Sequence, residues 1–358
     1  MSTTQRIAVL AGDGIGVDVT AEAVKVLEAA GERWSLPLEI VPLPWNADRY
    51  LETGVSMPEG GLEDLRDNYS AILIGAYGDP RVPDMKHAAD ILLGIRFGLD
   101  LYINFRPIRL YDESLCPLKG KTRKDINFVV FRENTEGAYV GVGGNFKKGT
   151  ADEIAIQECI YSRKGVERIV RAAFEYAAAN GHGRVCMADK SNVMQHGHEL
   201  WQRVFWQVAE EYADIESSHL FVDALTMQMV RKPEMFDVIV TNNMFGDIVT
   251  DLGAALQGGL GIAASANLHP GRTSMFEPVH GSAPKYAGSG RANPMGAVLS
   301  ASLMLHDLGY FEAAKAVESA VEQAITGGHK TPDLGGDSST SEVGDALAGY
   351  VAAPANAS

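Results

Sequence analysis

Short runs of apolar residues alternate along the chain with stretches in which apolar residues recur at helical spacing. The apolar runs lie at 6–11, 71–75, 128–131, 185–188 and 238–241. Helical spacing is found at 19–30, 166–179, 198–212 and 295–308. Continuous apolar runs are typical of strands that are buried on both faces of a sheet. The alternation therefore predicts an α/β protein in which helices cover a mostly parallel sheet.

Length, charge and cysteine content exclude several classes of protein. A chain of 358 residues exceeds the usual size of one hydrophobic core, so we expect two domains. No uncharged apolar stretch is long enough to cross a membrane. A formal charge of −15 without a basic stripe disfavours nucleic acid as a partner. The three cysteines form no CxxC pair, which favours the reducing cytoplasm.

A glycine-rich turn connects the first apolar run to the first helical stretch. The turn reads Gly12-Asp13-Gly14-Ile15-Gly16 and is followed by Val17. A Rossmann dinucleotide loop requires GxGxxG, so the spacing does not predict a Rossmann fold. Either the tight turn needs glycine for its dihedral angles or the turn contacts a ligand, and the pattern leaves both open.

Three arginines, Arg96, Arg106 and Arg132, lie beside apolar residues rather than in charged surface stretches. Guanidinium groups bind carboxylates through two parallel hydrogen bonds, so three that converge would suit a dicarboxylate. Taken singly, each would be an ordinary ion-pair arginine.

Two acidic residues and a lysine are candidates for metal binding and for base catalysis. Asp247 and Asp251 are four residues apart, which places both carboxylates on one face of a helix. Mg²⁺ or Mn²⁺ binds such oxygen atoms, although two solvated acids would show the same spacing. Lys190 and Asn192 directly follow an apolar run, and α/β proteins place reactive groups at strand ends. Lys190 is therefore a candidate base, or else an ordinary exposed lysine.

A loop rich in turn-forming residues spans 276–284 and precedes Asn293 and Pro294. It holds His280 between two prolines, Pro278 and Pro284. Such a preorganised loop could bind an adenosine, or it could be a rigid connector.

Taken together, these segments resemble the isocitrate, isopropylmalate, tartrate and D-malate family of decarboxylating dehydrogenases, over nearly the whole chain. The matching segments are Ala11-Gly12-Asp13-Gly14-Ile15-Gly16, Asn104-Phe105-Arg106-Pro107, Arg132-Glu133-Asn134-Thr135-Glu136-Gly137, Asp189-Lys190-Ser191-Asn192, Asn243-Met244-Phe245-Gly246-Asp247-Ile248 and Glu277-Pro278-Val279-His280-Gly281-Ser282-Ala283-Pro284. The resemblance implies an isopropylmalate dehydrogenase-like open α/β fold, not a Rossmann fold. A discontinuous cofactor-binding domain would comprise 1–103 and 256–358. A second domain, 104–255, would carry the metal site and the arm of a homodimer.

The resemblance also implies a role for each matching residue. Arg96, Arg106 and Arg132 would bind substrate carboxylates, and Tyr139 would act as the acid. Asp247 and Asp251 would bind Mg²⁺ or Mn²⁺ together with Asp223 of the second subunit. The second subunit would also supply Lys190, which would act as the base. The cofactor would be contacted by Asn192 at the nicotinamide and elsewhere by Glu277, His280, Gly281, Ser282, Ala283, Lys285, Tyr286 and Asn293. A non-catalytic regulatory subunit, the alternative within the family, would lack one of Lys190, Asp247, Asp251 or Tyr139, and all four are present.

In this family the segment before the first arginine largely sets substrate choice. Isocitrate enzymes place a serine and an asparagine there, whereas this chain has Ile91, Leu92 and Leu93. An apolar surface would bury a branched alkyl group at about 0.8 kcal/mol per methylene. We therefore expect Leu92 and Leu93 to contact the isopropyl group of isopropylmalate, an intermediate of leucine biosynthesis. Ala89 and Ile91 stand where isopropylmalate enzymes commonly carry a glutamate and a glycine, and Phe105 and Cys116-Pro117-Leu118 are similar to tartrate and D-malate enzymes. D-malate or tartrate is therefore the alternative substrate.

The residue after Pro284 bears on the choice between NAD and NADP. NAD-linked relatives usually place an aspartate there, whereas this chain has Lys285 followed by Tyr286, as NADP-linked isocitrate enzymes do. A lysine ammonium would attract the 2′-phosphate of NADP. Isopropylmalate enzymes use NAD by default, so the sequence is compatible with either cofactor.

Overall fold

The computed structural model describes residues 4–353, and its backbone divides into two compact units. The second unit comprises Tyr102–Ile108 and Lys124–Gly253, and the first unit contains the rest of the described residues. Arg109–Arg123, a segment that we expected in the second domain, belongs to the first unit. Its two end residues form ion pairs with the first unit, Arg109 with Glu318 and Arg123 with Glu322.

Strands and helices alternate along the chain, as the apolar pattern predicted. The strands are β1 (Gln5–Gly12), β2 (Leu38–Pro42), β3 (Ala71–Ala76), β4 (Ile103–Arg109), β5 (Asn127–Glu133), β6 (Gly143–Phe146), β7 (Ile154–Gln157), β8 (Arg184–Asp189), β9 (Glu216–Phe221), β10 (Val238–Thr241), β11 (Ala264–Leu268) and β12 (Ser274–Pro278). The helices are α1 (Ile15–Trp34), α2 (Ala47–Thr53), α3 (Gly61–Asn68), α4 (Lys86–Gly98), α5 (Arg163–Ala179), α6 (Gly197–Ala209), α7 (Val222–Arg231), α8 (Asn243–Gln257), α9 (Met295–Asp307), α10 (Phe311–Thr326) and α11 (Thr340–Ala352). Among residues 4–353, no helix combines the length and the apolar character that a membrane span requires.

In the first unit the strands lie in the order β2-β1-β3-β12-β11. β1 pairs in parallel with β2 and β3, β3 pairs in parallel with β12, and only β11 runs antiparallel to its neighbour β12. Every residue of β3 is buried, as expected for a central strand with both faces covered. Helix α1 packs on β1 and β3 and also contacts α9 and α11.

In the second unit the strands lie in the order β4-β5-β10-β8-β9. β5, β10, β8 and β9 are parallel, so the carboxyl ends of these four strands lie at one edge. Helices α5 and α6 pack against each other and against this sheet. β6 and β7 form a separate antiparallel pair whose residues are all exposed.

Helix α4 directs Ile91 and Ile95 into the core of the first unit, where neither side chain is exposed. The two residues are one helical turn apart and therefore share a face. Leu92 packs against the edge of the same core, whereas Leu93 lies outside it and is half-buried. The expectation that Ile91 offers a surface to the substrate is therefore wrong, and Leu93 keeps the better position for that contact.

The turn between β1 and α1 needs glycine because other backbone segments approach it closely. Gly12 and Gly14 have φ values of +76° and +56°, and an added Cβ would come within 2.2 Å of a carbonyl oxygen at each position. For Gly14 that oxygen belongs to Ser282, which also accepts a 2.8 Å hydrogen bond from Ile15 N. The glycines thus meet a structural requirement of the turn.

A matched pair of glycines in α1 tests this requirement. At Gly16 an added Cβ would lie 2.6 Å from backbone atoms of Ala11 and Ala76, whereas at Gly31 it would meet nothing within 4 Å. Gly16→Ala should lower the free energy of unfolding by about 1–3 kcal/mol, because backbone atoms cannot move aside cheaply. Gly31→Ala should raise it by up to about 1 kcal/mol, because alanine favours helix. Urea unfolding of both variants measures the two changes, and equal shifts would contradict the explanation.

Candidate active site

Polar side chains of the second unit gather around the carboxylate of Asp247, at the start of the second turn of α8. Arg132, on β5, donates from Nη1 to Asp247 Oδ1 at 2.5 Å. Arg106, on β4, lies 3.4 Å from the same oxygen and also donates to Thr250 Oγ1 at 2.6 Å. The hydroxyl of Tyr139 donates to Asp247 Oδ2 at 2.9 Å. The structure thus brings together two arginines, the candidate acid and one candidate metal ligand.

The side chain of Arg132 is only 1% exposed, and the local sequence is suited to holding it there. Its Nε and Nη2 atoms donate to Asn243 Oδ1 at 2.9 and 2.7 Å, so one amide oxygen receives two of its hydrogen bonds. Gly246 lies against the aliphatic part, where an added Cβ would come within 2.5 Å of Arg132 Cγ. Asn242 Oδ1 accepts from Phe245 N at 3.0 Å and begins α8. Helix α8 therefore supplies two partners of the buried guanidinium group, Asn243 and Asp247.

Lys190 and Asp223 form a separate pair in the same unit. Lys190 directly follows β8, and its Nζ lies 2.5 Å from Oδ1 of Asp223 in the first turn of α7. The hydrogen bond from Lys190 holds the pKa of Asp223 below its ordinary value. Asn192, two residues after Lys190, is exposed. The candidate base and one predicted metal ligand of this chain thus pair with each other.

Asp189 anchors the loop that carries Lys190. Its carboxylate is 1% exposed and accepts hydrogen bonds from Ser191 N, Gln202 Nε2 and His219 Nε2, at 3.0, 2.8 and 2.9 Å. Burial alone would raise the pKa of Asp189, but these hydrogen bonds, with His219 the strongest, hold it below the ordinary value. The charged carboxylate is therefore stabilised at neutral pH.

The three predicted metal ligands are not gathered by one chain. Asp247 and Asp251 lie one turn apart on α8, as predicted, and Asp251 and Asp223 are exposed. Among residues 4–353, no three acidic, histidine or cysteine side chains are placed to hold a metal ion. The carboxylate oxygens of Asp247 and Asp251 suit a hard divalent cation in chemical type, but one chain brings no third carboxylate to them.

The third predicted substrate arginine, Arg96, belongs to the first unit. It lies on α4 and donates to Glu277 Oε1 on β12 at 2.5 Å. Asn267 Nδ2 donates to the same oxygen at 2.8 Å, and both members of the ion pair are largely buried. Glu277, which we expected at the cofactor, is thus the partner of a predicted substrate-binding residue.

The loop after β12 carries the predicted adenosine contacts. His280 Nδ1 lies 3.1 Å from Gly281 O, which can only accept, so this nitrogen carries the proton. Burial lowers the pKa of His280 and favours its neutral form. Its Nε2 is then a buried acceptor, and no side chain or backbone group of the described residues donates to it. An unsatisfied buried acceptor is what an adenine amino group would require.

The remaining residues of this loop differ in exposure. Ser282 is buried and Gly281 is exposed, while Ala283 adopts a left-handed conformation with φ of 35°. Asn293 is buried and donates from Nδ2 to Asp333 Oδ2 at 3.1 Å. The exposed side chain of Lys285 stacks on the Tyr286 ring, with Nζ 4.7 Å from the ring centroid.

Several residues of the site escaped the sequence analysis. Asn243 and Thr250 hold the two arginines, and their spacing of four and three residues from Asp247 was a usable signal. His198 accepts a hydrogen bond from the backbone of Lys190, and nothing in its local sequence marks it. In the first unit, buried His87 lies 2.7 Å from Asp13 of the glycine-rich turn, a pair separated by 74 residues.

Comparison with known proteins agrees with these observations. The model of the family described as isocitrate/isopropylmalate dehydrogenase matches residues 6–347. The chain is 47% identical to 3-isopropylmalate dehydrogenase of Thermobifida fusca (strain YX), over 98% of each chain. It is 42% identical to D-malate dehydrogenase [decarboxylating] of Escherichia coli (strain K12), over 97% of this chain and 98% of the relative. A crystal structure of isocitrate dehydrogenase from Methylococcus capsulatus superposes with a TM-score of 0.87 at 35% identity, over 98% of this chain and 100% of that one.

Proposed function

This chain belongs to the isocitrate/isopropylmalate dehydrogenase family, and we propose that it oxidises and decarboxylates 3-isopropylmalate with a nicotinamide cofactor and Mg²⁺ or Mn²⁺. The cluster of Arg106, Arg132 and Tyr139 around Asp247 is the observation that carries this proposal. It combines anion-binding groups, a proton donor and a carboxylate. The complete catalytic set argues against a regulatory subunit.

The residues of the cluster suit the two chemical steps. Arg106 and Arg132 would bind the substrate carboxylates, and Lys190 would take the hydroxyl proton as hydride leaves for the nicotinamide. A bound divalent cation would supply electrophilic stabilisation of the substrate oxygens. After carbon dioxide departs, the hydroxyl of Tyr139 would donate its proton to the substrate carbon that had carried the lost carboxylate. Tyr139 is held for this role by its hydrogen bond to Asp247 and by the Arg132 guanidinium, 5.2 Å from its ring centroid.

We also propose that the catalytic set is completed in a homodimer. Lys190 pairs with Asp223, whereas Asp247 lies with the arginines, and no three carboxylates of one chain form a metal site within residues 4–353. A second chain would supply Lys190 and Asp223 to the cluster at Asp247. The β6–β7 pair exposes Phe146, Ile154 and Ile156, each more than half accessible, and apolar patches of this kind favour association.

D-malate is the second candidate substrate. The decarboxylating D-malate enzyme covers this chain almost as completely as the isopropylmalate enzyme does. Half-buried Leu93, three residues before Arg96 on α4, favours the substrate with the branched alkyl group. Leu92 would contribute less, because it packs on the core of the first unit.

For the cofactor we propose use of both NAD and NADP. His280 Nε2 would accept from the adenine, and the nearby loop residues would surround the adenosine. Among the described residues no acidic side chain pairs with Lys285, so its ammonium is available to a 2′-phosphate. A charge-assisted contact of this kind is worth about 1.5–3 kcal/mol. The sequence 329–333 offers no further phosphate-binding residues typical of the NADP-linked isocitrate enzymes, which keeps NAD in use.

A substrate panel tests the proposed reaction. With Mn²⁺ and each nicotinamide cofactor, kcat/KM should be highest for isopropylmalate among isopropylmalate, D-malate, tartrate and isocitrate, with one carbon dioxide released per hydride transferred. Leu93→Ser should lower kcat/KM for isopropylmalate about tenfold more than for D-malate, because only isopropylmalate carries the alkyl group. A maximum with D-malate would favour the second candidate, and equal losses would remove Leu93 from the pocket.

Complementation between two inactive variants tests the shared site. Lys190→Ala and Asp247→Asn should each abolish turnover. After mixing and exchange of subunits, half of the dimers should be mixed, and each mixed dimer should contain one site with both native residues. Activity should therefore return to about a quarter of the native value. Mixing that restores no activity, although subunit exchange is confirmed by native mass spectrometry, would contradict a site shared in this way.

The role of Lys285 is tested by reversing its charge. Lys285→Asp should reduce the ratio of kcat/KM for NADP to that for NAD at least about tenfold, because it replaces an attraction for the 2′-phosphate with a repulsion. Lys119→Asp, at an exposed lysine outside the loop, makes the same change in net charge and should leave the ratio unaltered. A ratio that responds equally in both variants would show that only the overall charge matters.

A further inference from the structure

The backbone N–H of Lys190 is bound by a buried side chain. Lys190 begins the loop 190–196 between β8 and α6, and Val193 in that loop is 67% exposed. The carbonyl oxygen of Lys190 accepts from Val193 N and Met194 N, at 3.0 and 2.9 Å. Its N–H donates to Nδ1 of His198 at 2.8 Å. The imidazole therefore ties the first residue of an exposed loop to the interior of the second unit.

Only one form of His198 can accept this hydrogen bond, the neutral imidazole with its proton on Nε2. The side chain is fully buried, and burial lowers its pKa, so the neutral form prevails at neutral pH. Nε2 lies 3.2 Å from the hydroxyl oxygen of Tyr161, which can accept the Nε2 proton. The rings of Tyr161 and Phe245 contact the imidazole edge-on, with centroids 5.3 and 5.4 Å away. The ring is thus held in both tautomer and orientation.

The residue before Lys190 is anchored as well. Asp189 is held by Gln202 and His219, from α6 and β9. Lys190 is therefore restrained at its own N–H by His198 and at the preceding side chain by two further residues. From this restrained backbone the lysine side chain extends to Asp223, whose Oδ1 lies 2.5 Å from Nζ.

We infer that His198 is a positioning residue for Lys190, holding the backbone from which the lysine amine reaches its reaction partner. This inference rests on the proposed function, in which Lys190 is the base. His198 has no exposed surface through which to touch a substrate, so it acts through the residues that it contacts, and Lys190 is the one among them with a catalytic role. A misplacement of about 1 Å in a reacting group can cost on the order of a hundredfold in rate, which makes such a restraint consequential.

A merely space-filling role for His198 makes a different prediction, and three substitutions separate the two roles. In His198→Asn the amide oxygen can occupy the position of Nδ1 and accept from Lys190 N. In His198→Gln the amide lies farther out, toward the position of Nε2. His198→Leu fills a similar volume without any acceptor.

The kinetic test compares these variants with the native full-length protein, using isopropylmalate, Mn²⁺ and the better nicotinamide cofactor. We expect kcat to fall about tenfold to a hundredfold in His198→Leu and His198→Gln, with the KM values and the Mn²⁺ dissociation constant changed less than about threefold. His198→Asn should recover most of the loss. Equal losses in all three variants, or losses confined to KM, would overturn the positioning role.

Amide hydrogen exchange gives a readout that does not depend on activity. The peptide containing Lys190 should lose protection in His198→Leu and His198→Gln and retain it in His198→Asn, while thermal unfolding midpoints confirm that each variant folds. Unchanged protection in both His198→Leu and His198→Gln would overturn the inference. Should His198→Leu fail to fold, the His198→Gln and His198→Asn variants still distinguish the two roles.

A native protein inactive on every substrate of the panel would refute the proposed function. The positioning role would then fall with it, even where exchange still shows the hydrogen bond.

Discussion

The guanidinium group of Arg132 is almost completely withdrawn from water, and the polar architecture of the second unit is arranged to compensate for it. A buried charge without a partner costs several kcal/mol, so both neutralising charge and hydrogen-bond acceptors have to be present. Asn243 and Asp247 provide them from the first two turns of α8. Because β5 pairs in parallel with β10, the helix that follows β10 begins beside the end of β5. The pairing of β5 with β10 thus places Asn243 and Asp247 next to the buried charge of Arg132.

The same requirement recurs at other buried charges. Asp189, at the end of β8, is held by Gln202 and His219, and in the first unit Glu277 on β12 is held by Arg96 and Asn267. These partners fix each side chain before any ligand arrives. A site built in this way has already met much of the entropic cost of orienting its groups, which is one source of catalytic efficiency.

Backbone contact performs the corresponding task at the turn that begins α1. Gly14 and Ile15 approach Ser282 so closely that a backbone hydrogen bond joins the glycine-rich turn to the loop after β12. The absence of Cβ atoms is what permits this approach. The glycines therefore determine where the loop that carries His280 lies, even though they are distant from it in sequence.

The sequence by itself determined the elements and the chemistry. Apolar runs such as 71–75 and 238–241 became buried parallel strands, and the spacing of Asp247 and Asp251 placed both on α8. Such patterns are local, since they follow from the repeats of strand and helix. Tertiary structure alone decided which groups meet. Ile91 is buried in the core, and Glu277 pairs with Arg96. His198 accepts a hydrogen bond from the backbone N–H of Lys190. These outcomes depend on the pairing of segments up to 181 residues apart, and no local pattern records that pairing.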